Sequence, residues 1–311
     1  MKKLMTGLVL GLVFTLSACG STGTAVTEAP KETKMYTHDL GETDVPMNPE
    51  NVVVFDWATL DTMVELGVEE TVIGVPQTGV PNYLNQFSDE KYTNVGSAKE
   101  ADFETIAALN PELIIISGRQ KDLYDQLAEI APTLYLNLDY NDYMASVDYN
   151  VTTVGEIFGV EDAAEAALTA VHSEVDALVQ QTAGMSETAL VTLANEGKVS
   201  AYGNQSRFGL VYETFGLTNI DPTIEASTHG QTISFEYLLE KNPDYLYVVD
   251  RSAVVEGSQS AQALFDNEIM KQTKAAQNNR IVYLTPEYWY IASGGLEAVS
   301  QMIAEVANSL K

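Results

Sequence analysis

An internal repeat constrains the fold of this chain more than any other feature of its sequence. Residues 102–119 (DFETIAALNPELIIISGR) align without a gap with residues 234–251 (SFEYLLEKNPDYLYVVDR), and their Phe, Glu, Asn, Pro and Arg positions coincide. Each copy begins with a helix N-cap residue, Asp102 or Ser234, continues as a short amphipathic helix, stops at Asn-Pro and ends in an apolar run. A helix followed directly by a continuous apolar strand is typical of a parallel sheet that is covered on both faces. Two copies therefore predict two α/β lobes.

Other segments of the chain fit the same plan. Further strands are predicted at 52–55, 71–75 and 133–138 in the first half, and at 189–194 and 280–284 in the second. Between the halves, residues 162–181 are rich in Ala, Glu and Leu and contain no Gly or Pro. They predict a single helix about 30 Å long. This helix would join the lobes rigidly; the alternative is an ordinary packing helix.

The predicted fold class is therefore α/β, with two Rossmann-like lobes whose parallel-rich sheets are joined by one long rigid helix. The predicted boundaries are an N-terminal lobe at 37–160, the bridging helix at 161–183 and a C-terminal lobe at 184–311.

The first residues resemble an export signal. Lys2 and Lys3 precede an apolar run at 8–16, and the run leads into Leu-Ser-Ala-Cys, which ends at Cys19. The run is too short to span a bilayer, which takes about 20 apolar residues. We therefore predict a cleaved signal peptide at 1–18, a lipidated Cys19 with a flexible tether at 19–36, and an extracytoplasmic protein anchored to the cell membrane by lipid alone. The alternative is a simple signal peptide with an incidental cysteine.

The charge of the chain makes its few cations informative. Removing Lys2 and Lys3 from the formal charge of −28 leaves −28 − 2 = −30, which repels nucleic acid and anionic lipid. The chain has only four arginines, and Arg119 and Arg251 end the two repeat copies. Ligands of open α/β sheets bind at the carboxyl ends of the strands, where these two arginines and the loop residue Arg207 lie. They predict an anionic ligand; the alternative for each is a salt bridge.

A histidine and a pair of tyrosines give a second signal. His229 lies in the polar loop Ser-Thr-His-Gly-Gln, and Tyr288-Trp289-Tyr290 follows the strand that ends at residue 284. We expect these aromatic residues to lie outside the core. The other histidines, His38 in the tether region and His172 on the long helix, are too scattered for a zinc or manganese site made by the protein alone. Taken alone, a loop histidine is also consistent with a plain polar residue.

At these residues the chain resembles the catecholate-siderophore-binding lipoproteins of ABC uptake systems, in particular those that bind petrobactin and linear bis-catecholates. The resemblance covers nearly the whole mature chain. It rests on the following residues: Phe55-Asp56, Leu60-Asp61-Thr62, Asn94-Val95-Gly96, Asn110-Pro111 through Gly118-Arg119, Arg207, His229-Gly230, Asp250-Arg251 and Pro286-Glu287-Tyr288-Trp289-Tyr290.

The resemblance implies a monomeric binding protein, not an enzyme, that delivers a ferric siderophore to a permease and has no cofactor of its own. The family's three cleft arginines match Arg119, Arg207 and Arg251. Its iron-ligating histidine and tyrosine match His229 and Tyr290, which would complete the six ligands of Fe(III) around a tetradentate siderophore. The further ligand contacts expected from loop position are Tyr288, which is also the reserve iron ligand, Trp57, Gln77, Tyr83, Gly96, Ser97 and Asn204.

The family docks on its permease through one glutamate per lobe, and Glu104 and Glu236 occupy equivalent places in the repeat. The alternative for both is compensation of charge at a helix N-terminus. Two other functions stay open: binding of haem or a corrinoid by the same fold, and a secreted hydrolase. The chain has neither a G-x-S-x-G nor an H-E-x-x-H motif, which disfavours the hydrolase.

Overall fold

Strands and helices alternate along most of the chain. The computed structural model describes residues 31–255 and 260–311. The strands are, in chain order, β1 (Thr33–His38), β2 (Gly41–Pro46), β3 (Val52–Val54), β4 (Val72–Val75), β5 (Thr93–Asn94), β6 (Leu113–Ile116), β7 (Thr133–Tyr135), β8 (Thr188–Asn195), β9 (Lys198–Tyr202), β10 (Thr218–Asn219), β11 (Gln231–Ile233), β12 (Tyr245–Asp250) and β13 (Ile281–Leu284). The α-helices are α1 (Trp57–Glu65), α2 (Phe103–Leu109), α3 (Tyr124–Ala128), α4 (Tyr143–Phe158), α5 (Glu161–Thr182), α6 (Leu210–Glu213), α7 (Phe235–Lys241), α8 (Arg251–Val255), α9 (Ala261–Phe265), α10 (Lys274–Gln277) and α11 (Leu296–Ser309). Short 3₁₀ helices lie at Glu69–Thr71, Asn82–Ser88, Gly118–Leu123 and Met270–Gln272, and a π-helical turn lies at Glu287–Ile291.

The two repeat copies adopt the same local structure. The side chains of Asp102 and Ser234 cap α2 and α7 by accepting a hydrogen bond from a backbone N–H in the first turn, at 3.0 and 3.3 Å. Asn110 and Asn242 end these helices in the left-handed conformation, with φ of 47° and 51°. The strands β6 and β12 follow after the proline. The helix, stop and strand predicted from the repeat are confirmed in both copies.

Each repeat strand lies inside a sheet. In the described residues, one sheet has the order β5-β4-β3-β6-β7, and all of its pairs are parallel. The other has the order β11-β9-β8-β12-β13 with β10 beside β8, and only the pairs that involve β9 are antiparallel. The residues of β3, β6 and β8 are almost all buried, as expected of strands covered on both faces. These parallel-rich sheets confirm the predicted fold class.

Helix α5 is the long helix expected between the two sheets. It packs against α4, which precedes it, and against α11 at the end of the chain. Its buried residues Ala164, Val171 and Leu178 recur every seven positions and form a narrow apolar stripe. Gly155 of α4 allows close approach, since a Cβ there would lie 2.6 Å from the Cβ of Ala164. Within the described ranges, no helix combines the length and the apolar character needed to cross a bilayer.

Helix α11 packs on the first half of the chain. It contacts α1 as well as α5. Asp61, in α1, is 1% exposed. Its carboxylate accepts hydrogen bonds from the backbone N–H groups of Glu297 and Ala298 at 2.8 and 3.0 Å and from Tyr83 Oη at 2.7 Å. Burial raises the pKa of Asp61 to about 7, although these hydrogen bonds oppose the shift. Gly295 is required here, because a Cβ at this position would collide with Asp61 Cγ.

The contact between α1 and α11 limits the predicted division into lobes. Residues 32–311 form one compact unit, and the last helix of the predicted C-terminal lobe packs on the first helix of the N-terminal one. The lobe boundaries at 160 and 183 therefore stay a prediction. The Asp61 contact also fixes the segment just before α11, which carries Tyr290.

The predicted tether at 19–36 is wrong for its last residues. Strand β1 pairs with β2 in an antiparallel hairpin that begins at Thr33. Tyr36 is buried, and its hydroxyl donates a hydrogen bond to Glu156 Oε2 at 3.1 Å. Thr43, in β2, donates to the backbone oxygen of Thr133 at 2.7 Å. A strand with one buried side chain has no visible hydrophobic period, and so the sequence did not reveal it.

Candidate functional site

Tyr290 lies among three arginine side chains. The guanidinium carbons of Arg207, Arg251 and Arg119 lie 4.8, 5.6 and 5.8 Å from the centre of its ring. Such distances permit cation–π attraction to one aromatic ring. The arginines come from different parts of the chain: Arg119 follows β6 in a 3₁₀ helix, Arg251 begins α8 after β12, and Arg207 lies in the loop after β9. The three predicted arginines therefore converge.

Hydrogen bonds to Glu305 hold the π-helical turn that carries Tyr290. Trp289 is completely buried, and its Nε1 donates a hydrogen bond to Glu305 Oε2 at 2.7 Å. The backbone N–H of Thr285 also donates to Glu305, at 3.2 Å. Turns of this kind are frequent at functional sites. The expectation that Trp289 lies outside the core is wrong, since its indole has an internal hydrogen-bond acceptor.

Arg119 joins the first sheet to the Tyr290 turn. Its Nη1 donates to the backbone oxygen of Ile291 at 3.0 Å, and its Nη2 donates to that of Tyr290 at 2.7 Å. Burial lowers the pKa of Arg119, and the charge of Arg207 lowers it further, whereas Asp56 opposes this shift. Arginine stays protonated at neutral pH despite such shifts. Arg119 thus brings a positive charge and also fixes the turn.

Arg251 and Arg207 contact different partners. Arg251 Nε donates to Tyr290 Oη at 2.9 Å, and its Nη1 donates to Asn195 Oδ1. Arg207 Nε donates to the backbone oxygen of Thr228 at 3.4 Å. No carboxylate of the described residues forms an ion pair with Arg119 or Arg207, which argues against the salt-bridge alternative for these two.

The arginines change the acidity of Tyr290. Burial raises the pKa of its phenol, but the hydrogen bond from Arg251 and the charges of Arg207, Arg251 and Arg119 outweigh burial, so that the net effect lowers the pKa. A lowered pKa favours the phenolate, which is a hard oxygen ligand suited to Fe(III).

We expect Tyr290 to ionise below the usual tyrosine pKa of about 10. The measurement is a pH titration of tyrosinate ultraviolet absorbance, in which other tyrosines that burial shifts upward, such as Tyr202 and Tyr143, ionise later. Tyr290→Phe should remove the earliest step of the curve, and Arg251→Ala should move that step to higher pH. An unchanged curve in the Tyr290→Phe variant would contradict the assignment.

Two cavities meet at this cluster. One, of about 420 Å³, is lined by His229, Arg207, Tyr140 and the loops after β6 and β7. The other, of about 440 Å³, is lined by Trp57, Arg251, residues 97–100 and α8. Arg119, Tyr290 and Ile291 border both cavities. The space around Tyr290 is therefore a cleft with two compartments.

The other predicted ligand contacts differ in which cavity they line. His229 is exposed and lines the first cavity together with Tyr290, whereas Trp57, 2% exposed, and Ser97 line the second. Tyr288 lines neither cavity and packs against Tyr83, with ring centres 4.9 Å apart.

The remaining predicted contacts have structural partners. Gly96 lines neither cavity and forms a tight turn: its φ is 111°, and a Cβ at this position would collide with the backbone oxygen of Glu100. Gln77 Nε2 donates to the backbone oxygen of Phe87 at 3.1 Å, and Asn204 Oδ1 accepts from Asn219 at 2.8 Å.

The predicted docking and anchor residues lie away from the cleft or outside the described residues. Glu104 and Glu236 are exposed in the first turns of α2 and α7, so the repeat does present them in equivalent positions. Their role in docking stays a prediction. Cys19 and the signal segment lie outside the described residues.

Sequence reasoning missed several residues of the first cavity. Ser117 and Asn137 follow β6 and β7, at the carboxyl ends where the same rule that selected Arg119 applies. Tyr140, just before α4, and Asn150, within α4, line the cavity too, and no motif in the sequence marks them. Across the described residues, no group of three or more His, Cys, Asp or Glu is arranged to hold a metal ion.

Comparison with known proteins identifies the fold family. The periplasmic binding protein family matches residues 52–288. The chain belongs to this family. It is similar to the petrobactin-binding protein YclQ of Bacillus subtilis, with 41% identity over 100% of both chains, and to the ferric-anguibactin-binding protein FatB of Vibrio anguillarum, with 30% identity over 86% of this chain and 85% of FatB.

Solved structures of this family agree with the sequence comparison. The crystal structure of YclQ matches with a TM-score of 0.88 at 42% identity, and the match covers 90% of this chain and 99% of the YclQ chain. The structure of the catecholate-siderophore-binding protein VctP of Vibrio cholerae matches with a TM-score of 0.83 at 35% identity, and the match covers 88% of this chain and 99% of the VctP chain. The family consists of binding proteins, and the resemblance stated from the sequence motifs is confirmed.

Proposed function

We propose that this protein captures an anionic ferric catecholate siderophore in the cleft around Tyr290 and delivers it to an ABC importer. The observation that carries the proposal is the convergence of Arg119, Arg207 and Arg251 on one tyrosine in a protein of strongly negative charge. Guanidinium groups suit catecholate oxygens because they offer paired donors and keep their charge. The relatives named for petrobactin and catecholate siderophores support the same ligand class.

Tyr290 and His229 are proposed to act on the iron itself. Both line the first cavity, and the lowered pKa of Tyr290 favours a phenolate. A tetradentate siderophore leaves two of the six positions of Fe(III) open, which a phenolate and an imidazole can fill. A hexadentate siderophore leaves none, so the two side chains would then only contact the chelate.

The mature protein is proposed to be a monomeric lipoprotein on the outer side of the cell membrane, held there by Cys19. The motif around Cys19 and the absence of other cysteines in the sequence support this anchor. Glu104 and Glu236 are proposed to meet the permease, because the repeat exposes one in each half of the chain. We further propose that the protein has no resident cofactor and releases its ligand chemically unchanged.

The test is an equilibrium titration of the mature protein, followed by quenching of tryptophan fluorescence. The ligands are a ferric linear bis-catecholate, haem and cobalamin, the last two representing the rival cargoes of this fold. We expect saturable binding of the ferric bis-catecholate and its recovery intact afterwards. Tight binding of haem or cobalamin without binding of the ferric bis-catecholate would reject the proposal, and conversion of the ligand would reject the claim that the protein is not an enzyme.

A further inference from the structure

The second compartment of the cleft differs in chemistry from the first. Its lining includes the apolar side chains of Trp57, Ala98, Ile291, Val254 and Val255, the last two in α8, besides the charged Lys99 and Glu100. The first compartment is lined mainly by polar groups, among them Ser117, Asn137, Asn150 and His229. A ligand that lies across Tyr290 therefore meets polar groups at one end and an apolar pocket at the other.

One wall of the second compartment is rigid. Gly96 allows the tight turn at 97–100, in which Ser97 N donates to the backbone oxygen of Glu100 at 2.8 Å. The buried side chain of Gln120 donates to the backbone oxygen of Ala98 at 2.6 Å. Gln120 is itself fixed, because its Oε1 accepts from Ser117 N at 3.1 Å. This wall is preorganised, so an apolar group could enter without ordering it first.

Helix α8, which also lines the compartment, keeps apolar surface exposed to water. Val255 is 45% exposed although it lines the compartment. Burial of such surface against a ligand is favourable. The compartment is continuous with the proposed iron site, since Arg119, Arg251 and Tyr290 also border it. Because of this continuity, the expected occupant of the compartment is a part of the siderophore that binds at Tyr290.

We propose that the compartment between Trp57 and α8 binds an apolar or aryl arm of the siderophore whose anionic ferric centre lies at Tyr290. This inference rests on the proposed function and adds to it a ligand class: a chelate with an apolar extension beyond its iron-binding groups. Val254 and Val255 then set specificity, because they contact the arm and not the iron.

The test uses two synthetic ferric bis-catecholamides that differ only in a side arm on the backbone, a benzyl amide or a methyl amide. Wild-type protein is expected to bind the benzyl amide about tenfold more tightly, from the extra apolar area buried. Val255→Asn should reduce this preference to less than about threefold, and Val254→Ser should have a similar effect. Both substitutions leave the net charge unchanged, so the attraction of the arginines for the two chelates is preserved.

Val179→Asn is the matched control. Val179, on α5, is 39% exposed, close to the exposure of Val255, and lines neither compartment. Its variant should keep the wild-type preference. Equal affinities of wild type for the two chelates, or an unchanged preference in both valine variants of α8, would overturn the inference and leave the apolar wall to another use, such as contact with the permease. Failure of both chelates to bind would instead reject the proposed function, and this inference with it.

Discussion

Replacing Arg207 by alanine is expected to weaken binding of a ferric bis-catecholate by ten- to a hundredfold. A hydrogen bond to a charged group contributes about 1.5–3 kcal/mol, and about 1.4 kcal/mol corresponds to a factor of ten in affinity. Arg207 makes one long hydrogen bond, to Thr228, and no ion pair with a carboxylate of the described residues. Its terminal nitrogens are therefore available to the ligand, and their loss should appear directly in the affinity.

Arg280→Ala is the matched control for this prediction. Arg280 lies over the ring of Tyr245 at 4.5 Å and lines neither compartment, so its removal changes the net charge equally but leaves the cleft intact. Fluorescence titration of both variants with the same ferric bis-catecholate gives the comparison. Arg207→Lys should bind with intermediate affinity, because it keeps the charge but loses the planar fork. Equal affinities of Arg207→Ala and Arg280→Ala would show that the ligand does not use Arg207.

Arg119→Ala should lower the affinity for the ligand and also disturb the structure of the cleft, whereas Arg207→Ala should lower the affinity alone. Arg119 donates to the backbone oxygens of Tyr290 and Ile291, so its loss removes a charge and also frees the turn that carries Tyr290. Affinity and local order should fall together. A loss of affinity in Arg207→Ala alone therefore reports the ligand contact more cleanly.

The second large effect is expected from His229 and Tyr290, the proposed iron ligands. In the His229→Ala, Tyr290→Phe double variant, affinity for a ferric tetradentate bis-catecholate should fall by at least about tenfold, because the two proposed protein ligands of the iron are lost. Affinity for a ferric hexadentate tris-catecholate should fall much less, since that chelate already fills all six positions. The difference between the two losses isolates coordination from the general effect of changing the cleft.

The measurement is a pair of titrations for each protein, one with each chelate. The single variants act as internal controls: Tyr290→Phe also removes the acceptor of the Arg251 hydrogen bond, whereas His229→Ala removes only an exposed ring. Equal losses for the two chelates would mean that His229 and Tyr290 contact the siderophore but not its iron. The visible absorption of an iron–phenolate bond should also disappear in the Tyr290→Phe complex.

The sequence was sufficient where local rules decide the structure. The capped helices of the repeat, their Asn-Pro stops and the apolar strands β6 and β12 follow from residues close together in the chain. Because parallel strands present their carboxyl ends at one edge, the same rules predicted that Arg119 and Arg251 would lie near a ligand. The long helix α5 followed from composition and the lack of Gly and Pro.

The remaining features depend on contacts between distant residues. The burial of Trp289 depends on Glu305, and the packing of α11 on α1 depends on Asp61 with the backbone of Glu297 and Ala298. The bonds from Arg119 to Tyr290 and Ile291 also join residues far apart in the chain. No periodicity or motif in one segment encodes such pairs. They decide which aromatic side chain of the segment 288–290 faces the cleft.

The most direct test of the central claim is to locate the iron. Crystals of the mature protein with a ferric bis-catecholate, measured at the iron absorption edge, should give one anomalous peak in the cleft beside Tyr290, within reach of its Oη and of the guanidinium of Arg207. A peak elsewhere on the protein, with the arginine cluster making no contact to the chelate, would contradict the account.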